Sequence, residues 1–111
     1  MQQTTDSRRA LDSIERLRSL YASGYRSDVI DRSVAKLLDI ERFAIERQLA
    51  EFQNRLAAYE LQYGMLSADF SARFRSGQLG DDADYFEWAV YCDLRDSALR
   101  YLTLIGKTPA Q

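Results

Sequence analysis

A chain of 111 residues, 46% apolar and 29% charged, has room for one ordinary globular domain and is too apolar to stay disordered. Its formal net charge of -2 is spread along the chain, with no strongly basic stretch of the kind that nucleic-acid binding leaves in a sequence. There is no histidine, which removes the commonest general base and the usual zinc ligand, and a single cysteine, Cys92, which allows no intrachain disulfide. The longest strictly apolar run, Trp88 to Cys92, is far short of the ~18 residues that span a bilayer. The first residues carry no apolar core of a secretory signal, so a cytoplasmic protein without a membrane segment is expected.

The five glycines, Gly24, Gly64, Gly77, Gly80 and Gly106, fall where helical periodicity breaks, and they cut the chain into four expected helices. The first is expected over about 8–22, where Leu11, Ile14, Leu17, Leu20 and Tyr21 recur at spacings of three and four. Its arginines Arg9 and Arg16 share a face with Asp12 and Glu15, as ordinary intrahelical pairs do. The second is expected over about 28–63, with Ser27 as its N-cap and Asp28 and Asp31 at the positive end of the helix dipole. Ile45, Leu49, Phe52, Leu56, Tyr59 and Tyr63 form a near-heptad seam along it, as in a coiled coil. Ile30, Val34 and Leu37 continue that seam upstream, interrupted by Glu41. Such a helix is ~54 Å long, whereas a compact chain of this size is only ~34 Å across. An elongated bundle, or a second chain covering the overhang, is therefore expected.

A short third helix is expected over about 68–76, capped by Ser67 and stopped by Gly77, with Arg73 and Arg75 in its last turn. The fourth is expected over about 82–105 and is apolar on two faces. One face carries Tyr85, Trp88, Cys92, Leu99 and Leu102. The other carries Phe86, Val90, Leu94, Tyr101 and Ile105. A helix apolar around most of its circumference needs cover on more than one side, which the first helix or a partner chain could supply. The fold class expected is all-α: one helical domain over 1–111, with flexible tails at 1–7 and 106–111.

Three constellations bear on function. Asp81, Asp82, Asp84 and Glu87 could hold a hard cation, but the calcium-loop pattern is absent. Asp84 with Glu87 reads instead as a capping box at the start of the fourth helix. Cys92, mid-helix among apolar neighbours, reads as a small hydrophobe. Phe52, Tyr59, Tyr63, Tyr85, Trp88, Tyr91 and Tyr101, with Arg95, are of the types enriched at protein interfaces, and their helical spacing is equally that of a core. No catalytic set, metal site or cofactor is expected.

The tract from Tyr63 to Tyr91 resembles small prokaryotic helical proteins described as antitoxin-like partners in toxin–antitoxin pairs. The resemblance rests on Leu20-Tyr21 with Gly24-Tyr25, on Tyr63-Gly64-Met65 with Ser67, and on Arg73-Phe74 with Gly77. Leu79-Gly80-Asp81-Asp82 and Phe86-Glu87-Trp88 complete it. Met65-Leu66-Ser67 departs from the Met-Ser-Ser of that pattern. What it implies is a short helical protein encoded beside a toxin-like protein partner. The reading that follows is a non-enzymatic interaction protein that occludes that partner with the surface of its second and fourth helices. The long second helix beside a fourth helix with two apolar faces makes a homo-oligomer, a dimer or higher, expected. The alternatives are a DNA-binding regulator that uses the third helix in a helix-turn-helix-like unit, and a ligand-binding helical bundle.

Overall fold

The computed structural model describes residues 2–106. They form four helices, α1 (Gln2–Ala22), α2 (Asp28–Tyr63), α3 (Ser67–Arg75) and α4 (Ala83–Ile105), and among the described residues there is no strand. The fold class is all-α, with one long helix, one short helix and one long C-terminal helix as expected. Helix α1 starts at Gln2 rather than near Arg8, because nothing before Arg8 is a helix breaker and each added residue gains a backbone hydrogen bond. Of the expected C-terminal tail, residues 107–111 lie outside the described residues.

The chain divides into two compact units, residues 1–36 and 37–111. The first consists of α1, a short connection and the start of α2. Most of its described apolar residues remain open to solvent, Leu11 at 61% exposed for example, while Tyr21 and Ile30 are half-buried. A polar corner joins its helices. The Tyr21 hydroxyl lies 2.6 Å from Oδ1 of Asp31 and 2.8 Å from the Ser27 carbonyl, and accepts from the Ser27 N–H at 3.0 Å. The Arg26 guanidinium sits 4.9 Å from the centre of the Tyr21 ring and donates to the Tyr21 and Tyr25 carbonyls. Ser27 caps α2 as expected, its Oγ accepting from the Ile30 N–H at 3.4 Å.

The second unit holds the buried core: Leu56, Phe70, Trp88 and Cys92. Ring pairs Tyr63–Tyr85, Tyr59–Trp88 and Phe52–Tyr91 lie along α2 and α4 in opposite chain directions, so α4 runs antiparallel to the second half of α2. The seam residues Ile45, Leu49, Phe52, Leu56, Tyr59 and Tyr63 are all buried or half-buried, whereas Val34 and Leu37 upstream are exposed. Helix α3 closes the end of this pair by laying the Phe70 ring on the Trp88 indole, centroids 3.9 Å apart and planes 3° from parallel.

Two glycine turns aim α3. Gly64 (φ +61°) and Gly77 (φ +78°) take the left-handed conformation that ends α2 and α3. The Met65 N–H reaches back to the Glu60 carbonyl and the Gln78 N–H to the Arg73 carbonyl, which satisfies carbonyls left open at each helix end.

Candidate interaction surface

The expected interface aromatics turn inward. Trp88 is 0% exposed, and Phe52, Tyr59, Tyr63, Tyr85 and Tyr91 are half-buried around it. The structure thus joins four of the eight expected interface residues, Tyr59, Tyr63, Tyr85 and Trp88, into one intramolecular ring cluster, and sets Phe52 and Tyr91 against each other as a separate tilted pair at 6.1 Å. Tyr59 and Tyr63 stack near the indole, with centroids at 5.5 and 5.7 Å, and Phe70 lies against it at 3.9 Å. The other two stand apart from the stack. Arg95 is half-buried and pairs with Asp96 at 3.0 Å, while Tyr101 is exposed beneath the Arg100 guanidinium.

A buried indole N–H needs an acceptor. Trp88 Nε1 donates to Ser67 Oγ at 3.0 Å, and the Ser67 N–H donates to Oε2 of Glu60 at 2.8 Å. This relay corrects the expected cap of α3. Leu66, which has no side-chain cap, precedes the helix, and Ser67 is its first residue. The Glu60 carboxylate takes the capping role from across the turn, where a negative charge suits the helix N-terminus. Ser67 is thereby freed to serve the tryptophan. The local signal was the serine after the Tyr-Gly-Met turn; its partner twenty-one residues on was not legible.

The acidic cluster has structural partners as well. The cap of α4 is Asp82, which accepts from the Asp84 N–H at 3.0 Å; the expected box of Asp84 with Glu87 does not form. Asp84, two residues past the cap and within the first turn, instead accepts from the Tyr63 hydroxyl at 2.6 Å, with Gln62 at 3.5 Å. That hydrogen bond and burial push the Tyr63 phenol up to about 12 from 10.0. Burial, with the hydrogen bond to Glu87 second, raises the Tyr59 phenol further. Asp81 is exposed. Among the described residues, no three acidic or thiol groups come together in a way that could hold a metal ion. Burial also raises the Cys92 thiol, as befits a residue that packs as a small hydrophobe.

What faces outward is a different set of apolar residues. On α4, Phe86 and Val90 are each 54% exposed, and Leu94, Tyr101 and Leu104 are also open. They form one stripe on the side of the helix away from Trp88 and Cys92, and at its start the Phe86 ring meets the Phe74 ring of α3 edge-on, centroids 5.4 Å apart. On α2, Ile40, Phe43 and Leu61 are exposed on the side away from the core seam. Ile40, Phe43 and Ala50 line a shallow open hollow with Glu46 and Arg47. The arginines of α3, Arg73 and Arg75, are exposed in its last turn, while its Phe70 is buried in the core and Phe74 is half-buried against it. No helix among the described residues is long and apolar enough to cross a membrane. Compared with known proteins, the chain matches no protein-family model, no curated protein and no solved structure.

Proposed function

We propose that this chain is a non-enzymatic interaction protein whose α2 helix seats its outer face in an apolar groove of a protein partner, as the antitoxin of a toxin–antitoxin pair does when it occludes its toxin. The observation that supports this reading most is the spacing of the exposed residues on α2. Ile40, Phe43, Arg47, Ala50, Ala57 and Leu61 recur on one side of a single helix, with Leu61 88% exposed. Anchors at such spacing are how an amphipathic helix is read by a groove. A bare apolar surface of this kind is costly in water unless something covers it. The surface hollows are open, and among the described residues the buried side-chain polar atoms already have partners within the fold, which supports binding over chemistry. The partner is a toxin-like protein, met in the cytoplasm.

The test is co-expression with the product of the adjacent gene. The two proteins are expected to elute together, and Phe43→Asp is expected to separate them while leaving the helical circular dichroism intact. Independent elution of the wild-type protein, or a sequence-specific shift of its own promoter DNA by this chain alone, would overturn the reading in favour of a DNA-binding regulator.

A further inference from the structure

The exposed stripe on α4 has a property that the outer face of α2 lacks: it is complementary to itself. In chain order it reads Phe86, Val90, Leu94, Ser97, Tyr101 and Leu104. Reversed about Arg95–Asp96, the stripe lays Val90 against Tyr101 and Leu94 against Ser97, and brings Phe86 within one residue of Leu104. Each pairing sets a larger side chain against one that leaves room for it, and Leu94 over the small Ser97 is a knob facing a hole.

The charges beside the stripe follow the same reversal. Asp93 and Arg100 flank it on one edge, and the same reversal sets Arg100 of one copy two residues, about 3 Å along the helix axis, from Asp93 of the other, within reach of the long arginine side chain. Asp93 is exposed, and among the described residues no basic side chain forms an ion pair with it. Arg100 is held at the edge of the stripe by its 3.3 Å hydrogen bond to Ser97 and by its place over the Tyr101 ring. The neighbouring charges, Arg95 and Asp96, are already paired with each other. A parallel pairing of the same stripe would set Asp93 beside Ala98 and Arg100 beside Ile105, with no opposite charge for either.

We propose that a second copy of this chain docks antiparallel on the outer face of α4, about a two-fold axis at Arg95–Asp96, with two symmetric Asp93–Arg100 pairs. Such an isologous contact closes on itself and stops at two. It leaves the outer face of α2 free, so it stands or falls apart from the proposed partner.

Sedimentation of the full chain at tens of micromolar tests it. The expected mass is twice the 12.8 kDa of the chain. Leu94→Asp, on the solvent side of α4, is expected to raise the dimer dissociation constant roughly 30-fold or more, and Phe43→Asp to leave it unchanged. Asp93→Arg alone and Arg100→Asp alone each set like charges together twice, and each is expected to weaken the dimer about tenfold. The double exchange, Asp93→Arg with Arg100→Asp, is expected to restore it to within about threefold of wild type. These surface exchanges touch no core residue, so they read association even where Leu94→Asp perturbs the helix. A wild-type protein that sediments as a monomer overturns the proposal, and so does a double exchange that stays as weak as either single one.

Discussion

Two helix junctions in this protein use the same bond and differ in everything around it. At the first, the Tyr21 hydroxyl meets Asp31 at 2.6 Å, and at the second, the Tyr63 hydroxyl meets Asp84 at 2.6 Å. Around Tyr21 there is solvent, an arginine and no buried side chain. Around Tyr63 there is a stack of rings over an indole that is sealed from water. A tyrosine–carboxylate hydrogen bond exchanges for bonds to water and contributes little by itself. The apolar area removed from water around the second junction is what makes it a core. The junctions therefore differ in stability although their hydrogen bonds match.

The strongest way to break the comparison is to empty the second junction. Trp88→Ala removes the largest buried side chain and leaves Phe70, Tyr59 and Tyr63 facing a cavity. The expected loss is about 3–5 kcal/mol, read from denaturant unfolding followed by near-ultraviolet circular dichroism. A loss below ~1 kcal/mol would show that the stack is not what holds α3 and α4 to α2.

A finer cut leaves the rings in place and removes one acceptor. Ser67→Ala strands the buried Trp88 N–H, at an expected cost of about 1–3 kcal/mol, while the far-ultraviolet spectrum stays helical. Ser67→Thr keeps a hydroxyl in reach and is expected to retain most of that stability. Equal losses for the two variants would mean that volume rather than the hydrogen bond governs the site.

The smallest effect separates the junctions by pH. The Tyr63 phenol is held near 12 in the fold against 10.0 in an open chain. Above pH 10 the unfolded chain loses this proton while the folded one keeps it. The stabilisation is thus complete below pH 10 and is lost as pH rises through 12. Tyr59 shifts in the same direction and adds to the loss. Burial and the bond to Asp31 also raise the Tyr21 phenol, partly offset by the Ser27 backbone and Arg26. Absorbance titration of the phenols is therefore expected to show Tyr63→Phe removing the later-titrating group and moving the alkaline transition more than Tyr21→Phe does.

Helix positions and the core seam were legible because their causes are local. Glycine marks helix ends through its own backbone, and the repeat from Ile45 to Tyr63 places its residues on one side of any helix that contains it. The partners within the core were not legible. Glu60 caps α3 across a turn, Ser67 serves an indole twenty-one residues away, and Asp84 joins Tyr63 rather than a neighbour in its own helix. Each is fixed by how the Gly64 and Gly77 turns aim α3, and no spacing within one helix contains that angle. The interface aromatics fall under the same limit. Tyr59, Tyr85 and Trp88 have the composition of a contact surface and of a core alike, and only the antiparallel return of α4 decides between them.

Trp88 is the chain's only tryptophan, and it lies face to face with Phe70 in a dry site. The protein therefore carries its own optical gauge. Indole emission from that site is blue-shifted while the stack is intact and moves to the red once water reaches the ring. A ligand, a partner or a second copy that docks on the outer faces of α2 or α4 leaves the emission unchanged, and an event that opens the core does not. Association and unfolding can thus be told apart in one cuvette, without a label.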